Sequence, residues 1–297
     1  MESQSWESSL QSRQPLVGPD VWRGADLPNL SGWRRPLADS EIAELDAALR
    51  HTQAHCADWQ DITVEKFRLD GFADILAEVR DDLENGRGIV KFSGLPVERY
   101  SEDERRRIFF GIGTHLGVPV HQSVGGELMG DICDEGVAAA RRGALTDDGD
   151  GQAFLSSRAR AQTTALLRFH TDRTDVAALL CIRPSEIGGV SKVVSTQAIY
   201  NEILARRPDL LEVLHQDFNR SLLGQETDGG EIIHAMPVFC WRDGKFTSYY
   251  SRTYLEAAEK IDGVSPMTDI QIEALDMLGE VAEELSYKMH FQPGDMQ

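Results

Sequence analysis

Residues 169–197 read FHTDRTDVAALLCIRPSEIGGVSKVVSTQ, and this stretch decides the fold class. Val176-Ala-Ala-Leu-Leu-Cys-Ile182 is a short, unbroken apolar run. Gly189-Val-Ser-Lys-Val-Val194 is a second run, and Pro184…Gly188-Gly189 lies between them as a turn. Runs of this length bounded by Gly and Pro predict strands rather than helices. The pattern recurs downstream. Ile232 to Trp241 and Phe246 to Tyr250 flank Asp243-Gly244, the dipeptide of a tight hairpin turn.

Helical signals surround these strands. Ile42, Leu45 and Leu49 share one helix face. Phe72, Ile75, Leu76, Val79 and Leu83 form a stronger stripe over 72–84, stopped by Asn85-Gly86. A short buried strand follows at Gly88–Phe92. Ser101…Glu104 and Thr268…Gln271 have capping-box spacing and open two further helices. Another helix is expected over 197–206, with a short one carrying Leu210, Leu211 and Leu214. Strands and helices mix without regular βαβ alternation. The expected fold is therefore mainly β with flanking helices, an antiparallel core rather than a doubly wound parallel sheet. Residues 1–36 read as an extended or poorly ordered arm and 37–297 as one domain. Residues 141–164 are polar, Gly-rich and aperiodic, and a loop of that length is expected to serve as a flexible lid.

The 297 residues carry 30 Lys and Arg against 49 Asp and Glu, a formal charge of −19. That balance argues against nucleic acid and anionic membranes as partners, since both demand clustered cations. No apolar stretch reaches the roughly 18 residues a membrane span needs. The N-terminus lacks a basic start followed by an apolar run, so no secretory signal is read there. Cys56, Cys133, Cys181 and Cys240 show no CxxC spacing and read as reduced thiols of a cytoplasmic protein. GxGxxG, GxxxxGK[ST] and GxSxG are all absent, which removes the usual nucleotide and α/β-hydrolase readings.

The sharpest chemical feature is His170-Thr171-Asp172. In an extended strand, residues i and i+2 project to the same side. An imidazole and a carboxylate then aim at one point, which is two-thirds of the 2-His-1-carboxylate arrangement that holds Fe(II) with open positions. Gly188-Gly189 places Ser191 at the start of a strand, where its hydroxyl can donate to a bound carboxylate; a routine turn is the plainer reading. Gln122 and Glu127 lie before the loop and are candidates for lining a substrate pocket. Arg168, beside the HxD motif, is a candidate partner for an anionic substrate, or for an acidic neighbour of its own chain.

Three further blocks frame this stretch: GIVKFSGLPVERYSEDERRRIFFGIGTHLGVPV at 88–120, PVFCWRDGKFTSYYSRTYLEAA at 237–258 and FQPGDMQ at 291–297. In this order, with HTDRTDVAALLCIRPSEIGGVSKVVSTQAIYNEILARRPDLLEVL at 170–214, they resemble the taurine dioxygenase-like family of Fe(II)/2-oxoglutarate-dependent oxygenases over about residues 86–297. The resemblance implies a double-stranded β-helix (jelly-roll) core, with His170 and Asp172 as iron ligands. It puts Ser191 at the position that helps hold 2-oxoglutarate. O₂ would be the second cosubstrate, succinate and CO₂ the co-products, and the substrate a small, amino-acid-like metabolite. The outcome would be hydroxylation, desaturation or cyclisation at an unactivated C–H bond. Oligomeric state is not legible.

One departure stands out. The family takes a second iron-binding His and a 2-oxoglutarate-binding Arg from positions just after Pro-Gly-Asp. Here that segment is Pro293-Gly294-Asp295, two residues before Gln297. Three explanations remain open: a longer protein, a non-catalytic ligand- or metal-binding relative, or a substitute such as His290 or His234. A zinc hydrolase built on His170 and Asp172 is the remaining alternative.

Overall fold

The computed structural model describes residues 13–122, 126–136, 160–221 and 233–297, together with the backbone of 144–147 and 153–155. Two compact units emerge. One comprises residues 16–121, 174–198 and 285–297; the other takes in the described parts of 13–15, 122–173 and 199–284.

The first unit opens with β1 (Arg34–Pro36) and α1 (Asp39–His55), continues through α2 (Gly71–Asn85), β2 (Lys91–Ser93) and α3 (Glu102–Leu116), and later adds β5 (Ser191–Val193) and β10 (Tyr287–Met289). The expected stripe on α2 is buried at Phe72, Leu76 and Val79. The capping box of α3 forms as read: Glu104 N–H donates to Ser101 Oγ at 3.3 Å, and Ser101 N–H donates to Glu104 Oε2 at 2.8 Å. Gly111 on α3 lets the Phe67 ring lie against the helix, 2.4 Å from where a Cβ would stand. Arg107, 5% exposed, closes the end of α1 by donating to the carbonyls of Thr52, Cys56 and Ala57, where unpaired C-terminal carbonyls need donors.

Residues 16–36 do not form a free arm. Trp22, Leu27 and Trp33 are buried with Ile89 and Met289, and Trp33 Nε1 donates to the Leu27 carbonyl at 2.6 Å. The large aromatic area of the two Trp residues holds this stretch down.

The second unit contains a hairpin of β3 (Ala144–Asp147) and β4 (Ala153–Leu155), then β6 (Phe218–Arg220), β7 (His234–Met236), β8 (Phe239–Arg242) and β9 (Lys245–Ser248). Helices α4 (Thr196–Arg206), α5 (Pro208–Leu214), α6 (Arg252–Ala258) and α7 (Asp269–Leu285) run through this half of the sequence. The β8–β9 hairpin has the expected register, Phe239 opposite Ser248 and Arg242 opposite Lys245. Asp243 and Gly244 both have positive φ, 50° and 77°, the geometry of a type I′ turn. Tyr200 packs edge-on against His215, Phe239 and Phe246, and Phe239 also lies tilted against His215.

The mainly-β expectation is not met. Among the described residues, no strand exceeds four residues and the strands pair only in twos, one pair being parallel, whereas α1 and α7 each run to 17 residues. Capped amphipathic stretches carry most of the regular structure. The run 176–182 forms no named strand. Instead Leu179 and Cys181 exchange backbone hydrogen bonds with Gly294, Asp295 and Gln297, while Met296 exchanges a pair with Phe92. Residues 295–297 are thus threaded between two partners. Gly294 makes this possible: its φ is +84°, and a Cβ would stand 2.0 Å from the Leu95 carbonyl oxygen. Within the expected 141–164 loop, β3 and β4 pair antiparallel; 141–143, 148–152 and 156–159 lie outside the described residues, and the lid reading falls largely on them.

Candidate metal centre

His170, Thr171 and Asp172 form an extended segment docked on the start of α6. His170 makes an isolated antiparallel bridge to Ser251. Thr171 N–H donates to the Tyr250 carbonyl at 2.8 Å, and Tyr250 N–H donates to Thr171 Oγ1 at 2.9 Å. Tyr250 and Ser251 are buried, so the docking surface is fixed. Because side chains alternate along extended backbone, tying Thr171 inward sends His170 and Asp172 together to the opposite side.

Their donor atoms meet there. His170 Nε2 lies 3.6 Å from Asp172 Oδ1, with the two side chains 28% and 56% exposed. His170 Nδ1 lies 2.8 Å from the Arg168 carbonyl oxygen. A carbonyl only accepts, so Nδ1 donates this bond and Nε2 is the ring nitrogen that faces the carboxylate. Second-side fixing of the ring by a backbone carbonyl is the usual support for a metal-binding histidine. Neighbouring donors about 2.1 Å from one metal and at right angles stand about 3 Å apart, close to the observed spacing. The pair fits as two ligands of a divalent ion. Among the described residues no group of three or more His, Cys, Asp or Glu converges on a metal-sized point. His234 and His290, the sequence-based substitutes for a third ligand, are exposed on β7 and after β10 and join no such group.

The other sequence candidates are placed as follows. Arg168 Nη1 reaches both oxygens of Glu256, at 2.9 and 2.8 Å. Glu256 also accepts from Arg252 Nε at 3.0 Å, and Arg252 Nη1 reaches Asp276 at 2.8 Å. Of the two readings for Arg168, the bond to an acidic neighbour is the one seen. Gln122 N–H donates to the Glu127 carbonyl at 2.6 Å, and both residues are exposed. Ser191 begins β5 in the first unit, opposite Met289, after Gly188 and Gly189 with φ of 77° and 64°. The turn is as read, and a side chain on Gly189 would strike Ser185.

Sequence reasoning missed two contributors. Thr171 was passed over as the spacer of HxD, although the alternation that aims its neighbours outward also aims it inward. Arg220, beside Phe218 in a short strand, is 1% exposed and stacks 4.5 Å over the Tyr249 ring. Its sequence setting, between Asn219 and Ser221, gave no signal.

Comparison with known proteins now decides the family. Residues 41–297 match the profile described as Taurine catabolism dioxygenase TauD, TfdA family. The chain belongs to the TauD/TfdA family of dioxygenases. Within that family's reach, it is 27% identical over 289 residues to FR-33289 synthase of Streptomyces rubellomurinus, covering 96% of this chain and 81% of that one. It is 28% identical over 281 residues to the taurine hydroxylase-like protein SAT17 of Stachybotrys chartarum, covering 93% and 70%. The fold is shared with an asparagine oxygenase solved with Fe(II), 2S,3S-3-hydroxyasparagine and succinate, at TM-score 0.62, 16% identity, and 89% and 84% coverage. It is shared also with the non-heme iron oxygenase OrfP solved with Fe and α-ketoglutaric acid, at TM-score 0.59, 14% identity, and 89% and 83% coverage. A TauD/TfdA chain is an iron(II)/2-oxoglutarate-dependent oxygenase, which sets aside the non-catalytic and zinc-hydrolase readings.

Proposed function

We propose that this TauD/TfdA dioxygenase uses His170 and Asp172 as two of its ligands to Fe(II) and oxidises a small, amino-acid-like metabolite. The observation that carries the assignment is the facing of His170 Nε2 and Asp172 Oδ1 at 3.6 Å on a segment pinned through Thr171. Bound iron, with 2-oxoglutarate and O₂, supplies the oxidising power that removes hydrogen from an unactivated C–H bond, with succinate and CO₂ as co-products. The chain's own residues do the positioning. The Arg168 carbonyl holds the His170 tautomer, Thr171 fixes the backbone, and the Ser191 hydroxyl donates to a carboxylate of 2-oxoglutarate. Hydroxylation is the expected outcome, and the core that carries these strands is a double-stranded β-helix. The substrate class is supported by relatives: the asparagine oxygenase was solved with hydroxyasparagine and OrfP with (3S)-hydroxy-L-Arg. Neither partner class excluded by the charge of −19 is invoked, no helix among the described residues is long and apolar enough to cross a membrane, and a cytoplasmic setting suits reduced iron and the free thiols.

The test is an anaerobically loaded assay for succinate against a panel of free amino acids. Succinate that requires Fe(II), 2-oxoglutarate and O₂ together, and rises with one panel member, supports the reading. Turnover with Zn(II), or without 2-oxoglutarate, would overturn it.

A further inference from the structure

Arg220 closes β6 opposite His234. Its guanidinium carbon lies over the Tyr249 ring at 4.5 Å, and Nη2 donates to the carbonyls of Met236 and Pro237, at 3.5 and 3.2 Å. Nε and Nη1 are buried and have no hydrogen-bond partner at all. An arginine has five N–H donors, and three of them sit on those two nitrogens. No carboxylate among the described residues pairs with this cation, in a chain with a surplus of acidic side chains. Other arginines here find acids readily: Arg168, Arg206, Arg207 and Arg252 each hold one or two.

Burying a charge without a counter-ion costs several kcal/mol, and leaving its donors unmade adds to that. A purely structural cation would be expected to have drawn one of the many carboxylates. A cation kept clear of them is one reserved for an anion that arrives from outside. Its location suits that role. Tyr249 precedes Tyr250, the residue that pins Thr171 between the two proposed iron ligands. Burial pushes the Tyr249 hydroxyl up, and the charges of Arg220 and of Arg173, next after Asp172, oppose that. Burial lowers the Arg220 guanidinium to about 10, so it remains charged at neutral pH.

We infer that Arg220 is a binding residue for an oxyanion, the carboxylate of the small molecule held beside His170 and Asp172, gripped through the unpaired Nε and Nη1 donors. The assignment to the substrate rests on the proposed function, while the anion site itself does not. The test is therefore made on the metal-free full chain, so that failure of iron binding leaves its outcome untouched. Acetate and methylphosphonate are the probes, titrated calorimetrically into wild type, Arg220→Met and Arg220→Lys. Wild type should bind one probe saturably, Arg220→Met at least tenfold more weakly, and Arg220→Lys in between, because a point charge lacks the planar fork. Preference for acetate over methylphosphonate supports a carboxylate, and the reverse preference would overturn that assignment. The arginine Nε–Hε resonance of Arg220, followed by NMR in wild type alone, should move along the same binding curve, so the result does not hinge on a variant's folding. Absence of saturable binding in wild type, equal binding by Arg220→Met, or an unmoved resonance would overturn the anion site. Competitive displacement of the probe by 2-oxoglutarate would overturn its assignment to the substrate.

Discussion

Replacing Thr171 by Val tests the docking that aims the iron ligands. Val keeps the β-branched shape that favours extended backbone, so the strand and its packing should persist. What disappears is the acceptor for the Tyr250 N–H, now 2.9 Å away. Tyr250 is 7% exposed, so water does not readily replace the lost oxygen, and an unsatisfied buried donor costs about 1–3 kcal/mol. The backbone bond, Thr171 N–H to the Tyr250 carbonyl at 2.8 Å, is untouched. We therefore expect urea unfolding to show a loss of about 1–3 kcal/mol in Thr171→Val with the slope unchanged. Thr171→Ser, which keeps the hydroxyl, should lose less. Fe(II) affinity should fall in Thr171→Val along with stability, because the segment bearing both ligands has lost both side-chain ties to Tyr250, the second being Thr171 Oγ1–H to the Tyr250 carbonyl at 3.5 Å, and keeps only the backbone one. Stability and iron affinity both equal to wild type would refute the claim that Thr171 aims its neighbours.

Three further expectations follow from other contacts. His215 is held neutral, its pKa lowered from 6.5 to about 4 by burial and then by the Arg13 charge. The unfolded chain takes up a proton between those values that the native ring refuses, so stability should fall as pH drops from about 6.5 to 4 and be flat for this group above it. Allowing for its partial exposure, the loss is about 1–3 kcal/mol; His215→Gln should flatten that stretch of the denaturation-versus-pH curve. Gly294→Ala forces a Cβ against the Leu95 carbonyl at positive φ and should lower the thermal midpoint by several degrees, read by calorimetry. Ser191→Ala should weaken apparent 2-oxoglutarate affinity about fivefold, the equivalent of one hydrogen bond near 1 kcal/mol, in a titration of succinate formation.

Local signals were legible where a side chain and the backbone settle the matter between neighbours. The Ser101…Glu104 and Thr268…Gln271 boxes, the Asp243-Gly244 turn and the α2 stripe all depend on residues within a turn or two of one another. The HxD convergence was legible for the same reason, because the pleat alone puts positions 170 and 172 on one side. What could not be read depended on distant partners. The run 176–182 looks like a strand of its own, yet its ladder is completed by residues 294–297. Trp22 and Trp33 sit in polar sequence but are buried by Ile89 and Met289. Which of the two partners Arg168 takes could not be read because Glu256 lies 88 positions away. Arg220 gave almost no signal, since being unpaired is a property of its surroundings rather than of its neighbours in the chain.

The most direct measurement is equilibrium Fe(II) binding under anaerobic conditions to wild type, His170→Ala and Asp172→Ala. The account predicts one Fe(II) per wild-type chain, with affinity reduced at least tenfold in either variant and urea unfolding little changed, since both side chains are partly exposed. Undiminished iron binding by either variant would remove that residue from the metal centre and contradict the account.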